Sequence, residues 1–267
     1  MIRKAAVAGS FYAGTPDRLR LQVEDLLPRG TVPEPAVAVV APHAGYMYSG
    51  RVAGAVYSRV QFPETCVILG PNHTGLGAGA AIMTYGHWET PLGRVPIDGE
   101  LAKAILGYSS VLEEDHLGHL REHSIEVQLP FLQYRERPFS FVPISLFSHE
   151  YAVCQNVGKA VAAAVGRAGK RVLLVASTDM SHYISRDEAA VKDRKAIDAI
   201  LALDPQRLHQ VVRREGITMC GFHPTVATLI AAKGLGAVRA ELVMYTDSGE
   251  VTRSTDEVVA YAGLVIR

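Results

Sequence analysis

The chain has 267 residues, 48% of them hydrophobic and 20% charged, and its 27 basic side chains balance 27 acidic ones. This composition argues against disorder, which needs low hydrophobicity and high net charge, and it offers no general electrostatic pull toward nucleic acid or an anionic membrane. Three cysteines, Cys66, Cys154 and Cys220, are too few and too scattered for a disulfide framework, so reduced thiols and a cytoplasmic location are expected.

No run approaches the roughly 20 apolar residues of a membrane span. The first residues, Met1-Ile2-Arg3-Lys4, reach Gly9-Ser10 without a sustained apolar stretch, so no signal peptide is expected. In chain order, residues 36–41 form a short Val/Ala-rich run ending at Pro42, which reads as a strand, and 49–60 as a helix. A second apolar run, 65–69, closes at Gly70-Pro71-Asn72, and 81–85 reads as a further strand. Trp88 to Gly93 reads as a turn-rich loop whose indole either walls a pocket or packs. Helices are expected over 98–106, 122–134 and 150–168.

A third apolar run, 171–176, closes at Ser177-Thr178-Asp179. Beyond it, helices are expected over 186–203, 205–215 and 223–233. Asp204-Pro205 supplies a start signal and Gly234 a C-cap. Residues 240–245 and 258–266 complete the strands. Continuous apolar runs are what strands buried on both faces show. Their alternation with helices predicts an α/β fold with a mostly parallel central sheet and helices on both faces. No linker, repeat or low-complexity tract divides 1–267, so one domain is expected.

The chemistry lies in the residues just past each apolar run. The first run leads into Pro42-His43-Ala44-Gly45-Tyr46, the second into Pro71-Asn72-His73-Thr74-Gly75 and the third into Asp179-Met180-Ser181-His182. A lone loop histidine is more often solvated or a cap. Three at the carboxyl ends of strands, where open α/β sheets bind ligands, point to a shared site. Imidazoles suit Zn, Fe, Cu and Ni, and two of them with one anionic ligand leave positions open for substrate. The anionic candidates are Asp179 and Cys220, the latter just before an expected helix whose start favours a thiolate. Cys66 and Cys154 read as buried packing residues. A cysteine hydrolase using Cys220 and a nearby histidine is a further alternative, but it leaves His43 and His73 unexplained.

Two motifs are set aside. His119-x-x-Glu122-His123 matches the inverted zincin pattern only formally, since Gly118 suggests a loop there. Gly75-Leu76-Gly77-Ala78-Gly79-Ala80 fits a dinucleotide fingerprint, but a strand pattern comes next where a helix N-terminus is required. His87, His149 and His209 show no convergent partner.

Taken together, several segments resemble the Memo-like proteins nearly end to end. They are Gly9-Ser10-Phe11-Tyr12, Pro42-His43-Ala44-Gly45-Tyr46-Met47-Tyr48-Ser49-Gly50, Gly70-Pro71-Asn72-His73, Trp88-Glu89-Thr90-Pro91-Leu92-Gly93, Glu122-His123-Ser124-Ile125-Glu126, Ser177-Thr178-Asp179-Met180-Ser181-His182-Tyr183 and Cys220-Gly221. That family is similar in fold to the class III extradiol (LigB-like) dioxygenases, non-haem iron enzymes. The resemblance implies that His43 and His73 bind metal and that His182 serves as acid/base. It places His123 where a second catalytic histidine occurs, and Asp179 as a polar pocket residue. Cys220 stands where the dioxygenases have a Glu, and a thiolate is softer than a carboxylate.

The implied cofactor is therefore Fe2+, with Cu+ or Zn2+ as alternatives, and the implied function a metal-dependent redox enzyme. The alternative is a non-catalytic protein that binds a metal or a (phospho)peptide in the same pocket. The ligand is an unnamed small molecule or peptide, and the family's association with radical-SAM and AMMECR-type proteins implies a shared pathway.

Overall fold

The computed structural model describes residues 1–134 and 137–267. Its elements run β1 (Ile2–Arg3), α1 (Pro16–Leu26), β2 (Ala38–Ala41), α2 (Tyr46–Ser58), β3 (Thr65–Pro71), β4 (Ala80–Ile82), β5 (His87–Thr90), β6 (Gly93–Pro96), α3 (Gly99–Tyr108), β7 (Glu113–Glu114) and α4 (Leu117–Leu120). A 3-10 turn (Glu126–Gln128) leads into α5 (Leu129–Gln133), β8 (Ser140–Leu146), α6 (Tyr151–Arg167), β9 (Val172–Ser177), β10 (His182–Ile184), α7 (Arg186–Leu201), α8 (Pro205–Arg214), α9 (Phe222–Gly234), β11 (Ala240–Asp247), α10 (Gly249–Thr252) and β12 (Val258–Ile266).

Among the described residues the main sheet runs in the order β10-β12-β2-β9-β3-β8-β4-β7, with β11 also paired to β12. Its centre, β2-β9-β3-β8, is parallel throughout. The flanks differ: β12 joins β2, β11 and β10 antiparallel, and β4 joins β8 antiparallel. The parallel strands β2 and β3 are buried along their whole length, which is why they read as continuous apolar runs. Helices α1, α2 and α5 pack together on one face, and α3, α6, α8 and α9 on the other. Close approach needs Gly158 in α6, because a Cβ there would lie 2.6 Å from the Ala227 carbonyl of α9.

Local signals explain three of the helix starts. Asp98, Ser185 and Asp204 accept from the N–H three residues on, capping α3, α7 and α8. Helix α9 extends to Gly234 and turns at Gly236, whose φ of +91° needs a glycine, so Gly234 is the last helical residue rather than the cap. Among the described residues, no helix is long and apolar enough to cross a membrane.

Four segments depart from the sequence expectation. Thr15-Pro16 starts α1, which its periodicity does not reveal. Strand β8 carries Pro143, a residue that argues against a central strand. It is tolerated because β4 pairs only with Ile144–Leu146 and has ended before Pro143 is reached. Residues expected as the loop 88–93 instead form the β5/β6 hairpin, with β1 alongside. Trp88 is fully buried there beneath the Arg3 guanidinium, 4.2 Å from its ring centroid, so it packs and walls no pocket.

The fourth departure reaches the site. The helix expected over 122–134 does not begin until the 3-10 turn at Glu126. Glu122 and Ser124 are fully buried, and their side chains bond to backbone instead of standing outside a helix. Such side-chain bonds compete with helical pairing.

Candidate metal centre

Parallel registry brings three loops to one edge: Ala41 pairs with Ser177, and Pro71 of β3 with Leu146 of β8. His43 follows β2, His73 follows β3, and Asp179 and His182 follow β9. Cys220 arrives on a fourth segment, the turn before α9. Its Sγ lies 3.2 Å from His43 Nε2. The rings of His43 and His73 are 5.2 Å apart, those of His43 and His123 5.5 Å, and His73 stacks on His123 at 4.6 Å.

Among the described residues, three groups bring their potential ligand atoms within 4.8 Å of one another. They are His43 with His73 and Cys220, His73 with Glu122 and His123, and Asp179 with His182 and Cys220. A tetrahedral ion with metal–nitrogen bonds of about 2.0–2.1 Å and a metal–sulfur bond of about 2.3 Å separates its nitrogen and sulfur ligands by roughly 3.5 Å. The two imidazoles and the thiol of the first group fit that requirement, and they are a donor set that suits a transition metal.

Hydrogen bonds decide which ring nitrogen each histidine offers. Ser177 Oγ donates to the Ser124 carbonyl and accepts from Gln128 Nε2, so it can only accept from His43 Nδ1, 2.9 Å away. His43 therefore carries its proton on Nδ1 and turns the Nε2 lone pair toward Cys220. Gln128 is held in turn by Tyr57 and by the Pro42 carbonyl. His73 Nδ1 lies 3.0 Å from Glu122 Oε1, again leaving Nε2 as the free nitrogen. His182 Nδ1 lies 2.7 Å from the Met180 carbonyl and 2.9 Å from that of Thr218. Carbonyls only accept, so Nδ1 is protonated and Nε2 is the basic atom.

Asp179 Oδ1 accepts from His43 N–H at 2.7 Å, which clamps the β2 loop to the β9 loop, and Asp179 N–H lies 3.3 Å from Cys220 Sγ. Burial pushes the Asp179 carboxyl up, against the pull of the His43 and Ala44 N–H groups. Burial, aided by Asp179, likewise raises the Cys220 thiol well above its usual range. Burial and the neighbouring imidazoles push His43 well down, and burial also lowers His123. His43 is thus held neutral. A bound cation would favour the thiolate.

Each residue proposed from the sequence, His43, His73, Cys220, Asp179, His182 and His123, lies in this cluster. Sequence reasoning missed Glu122 as a partner of His73, along with Ser177 and Gln128 behind His43. Ser177 and Gln128 show only as polar residues beside apolar ones, and Glu122, among Arg121, His123 and Ser124, shows no such contrast. His119 sits in the short α4, fully buried against the Trp88 ring, and among the described residues it joins no group of ligand atoms, so the zincin pattern does not assemble. His149 and His209 do have a partner. Both pack against His223, with ring centroids 5.0 and 5.9 Å away, as an aromatic cluster.

An α/β sheet whose carboxyl edge gathers two imidazoles and a thiol defines the class: a protein with a candidate metal pocket at the strand ends. The family model described as "Memo-like protein" matches residues 3–265, and the chain belongs to that family. It is similar to a MEMO1 family protein of Methanopyrus kandleri, 44% identical over 100% of this chain and 99% of that one. The corresponding protein of Methanothermobacter thermautotrophicus is 44% identical over 99% and 100%, and that of Aquifex aeolicus 42% over 99% and 98%. A crystal structure of an uncharacterised Escherichia coli K12 protein shares the fold, with a TM-score of 0.58, 16% identity and coverage of 84% of this chain and 98% of that one.

Proposed function

We propose that His43 and His73, through Nε2, and Cys220, through its thiolate, hold one transition-metal ion, Fe2+ in preference to Cu+ or Zn2+. On this reading the protein is a redox enzyme of the non-haem dioxygenase type acting on a small molecule. The observation that carries it is the shared polarity of the two ligand histidines: each spends Nδ1–H on a protein acceptor and keeps Nε2 free. Metal-binding histidines are oriented in this way.

A bound iron ion would supply open coordination positions and one-electron chemistry. The chain supplies the rest. Asp179 holds the His43 loop in place through the backbone. His182 takes or returns a proton at Nε2, with Met180 and Thr218 fixing its ring. His123, stacked on His73 and 4.8 Å from the Phe11 ring, orients substrate or serves as a second acid/base.

The test is metal content after purification without oxygen. Near-stoichiometric iron in the wild type, lost in His43→Ala and Cys220→Ser, is the expected result. A wild type that is empty and takes up neither Fe2+ nor Cu+ overturns the reading.

One observation favours a second reading, a non-catalytic pocket for a metal or a phosphorylated peptide. Helices α2 and α9 both begin beside the site on glycine N-caps, with no side-chain cap and no acid in the first turn. Uncompensated helix N-termini attract anions. Substrate turnover abolished by His182→Ala would remove this reading.

A further inference from the structure

We propose that the Tyr261 hydroxyl is a ligand-binding group of the pocket, donating a hydrogen bond to a carbonyl or carboxylate oxygen of the small molecule held there. The proposal rests on the small-molecule reading above and needs no particular metal.

The other buried tyrosines use their hydroxyls inside the protein: Tyr12 donates to Glu126, Tyr46 to the Val127 carbonyl and Tyr57 to Gln128. Tyr261 is as deeply buried, at 1% exposure, yet among the described residues its hydroxyl has no hydrogen-bond partner. An O–H left without an acceptor is costly, and a ligand atom offsets that cost. Nor is this hydroxyl sealed into the core without a partner, as those of Thr84, Ser145 and Thr228 are.

The fold sets Tyr261 at the site. The β12–β2 ladder ends where Leu264 faces Val40, and continuing its register brings Tyr261 opposite His43. Opposed residues of two strands share a face. That face lies under α2, since a Cβ on Gly263, two residues on, would meet Val52 and Val56 of that helix. The neighbouring Ala260 bonds through its N–H to Ser181 and through its carbonyl to Met180, in the loop that carries Asp179 and His182. Tyr261 therefore stands between the His43 loop, the Asp179–His182 loop and the start of α2. Asp179, Tyr48, Asp247 and Tyr183 are near enough for their fields to reach it. The Tyr183 ring, 73% exposed and 5.8 Å from that of His182, forms the outer rim. A phenol is an O–H donor at neutral pH, and burial keeps this one so. One donor suits a single carbonyl or carboxylate oxygen, whereas the three oxygens of a phosphate call for several.

The experiment titrates benzoate, a carboxylate on a flat ring, into the wild type and Tyr261→Phe by calorimetry, each metal-free and loaded with Co2+. Thermal melts of the same proteins are recorded without benzoate. Tyr261→Phe should bind benzoate about 10-fold more weakly, the usual size of a hydrogen bond to a charged acceptor, and should melt no lower than the wild type. A loss below about 3-fold overturns the proposal. So does a variant that melts lower or does not fold, because the hydroxyl then serves the fold. Co2+ uptake by the wild type reads the metal proposal separately. A protein that takes up none fails that reading, and its metal-free benzoate titration still decides the role of Tyr261.

Discussion

The two edges of the central sheet differ in kind. At the carboxyl edge, loops after β2, β3 and β9 and the turn before α9 interlock through hydrogen bonds between residues far apart in sequence. His43 to Asp179, His73 to Glu122 and Cys220 to His43 are examples. At the amino edge lies a wide cleft of about 1160 Å³ lined by Pro33, Phe62, Pro63, Pro138, Arg137 and Arg171, among others. Among the described residues this cleft gathers no group of ligand atoms. What marks a site here is convergence of oriented polar atoms. The main polar feature near the cleft is structural: Asp98 caps α3 and pairs with Lys170.

The strongest way to break the carboxyl edge is Gly221→Ala. A Cβ there would lie 2.2 Å from the Ser177 carbonyl and 2.5 Å from Thr178 Cβ, with backbone on one side and no room to yield. Overpacking of this kind costs about 1–3 kcal/mol or more. Because Cys220 is adjacent, metal uptake should fall with it. Denaturant titration and metal analysis of the same samples would check both effects.

Acid should act next. His119 is buried beside Arg3 and pushed down to about 3, first by burial and then by that cation. The unfolded chain takes up this proton near pH 6.5, whereas the native state resists until about 3. The stabilising contribution is therefore complete above 6.5 and is lost as pH falls toward 3, by about 1.4 kcal/mol per unit. His119→Leu should flatten the dependence of unfolding free energy on pH between 6.5 and 4. An unchanged slope would contradict this.

Asp98→Ala sharpens the comparison from the other edge. It removes the α3 cap and the Lys170 partner, at about 1–2 kcal/mol, while metal content stays at the wild-type level. Burial raises the Asp98 carboxyl, but Lys170 and the Leu101 N–H outweigh it and the net shift is downward. Its contribution is thus present above the unfolded value of 3.8 and fades as pH drops through the lower folded one. Thermal melts of both proteins at neutral and strongly acid pH would show the difference closing.

The smallest effect is expected for Gly107→Ala in the last turn of α3, where a Cβ meets nothing within 4 Å. Helix propensity then favours alanine by up to about 1 kcal/mol, a gain in melting temperature with no change at the candidate metal site.

Much of this molecule is legible along the chain. Residues 36–41, 65–69 and 171–176 announce buried strands because parallel strands covered on both faces leave no polar side to interrupt them. His43, His73 and His182 can be assigned to one edge because each comes soon after such a run. Strand β8 is hidden by Pro143, whose exclusion from central strands is relaxed here by the early end of β4, a fact of the neighbour and not of the segment itself. Residues 122–125 read as helix and are not, for a related reason. The carboxylate that stops the helix is committed to N–H groups of the His73 loop, 49 positions away.

The amino-acid sequence by itself determined the buried strands β2, β3 and β9, the edge at which the histidines emerge and the family. Local periodicity and turn chemistry carry that information. Only the tertiary structure decided that Cys220 meets His43 across 177 positions, and that Ser177 and Glu122 hold the proton of His43 and His73 on Nδ1. A ring's tautomer is set by whichever acceptor the fold brings within about 3 Å of it, and no residue pattern along the chain specifies that distance.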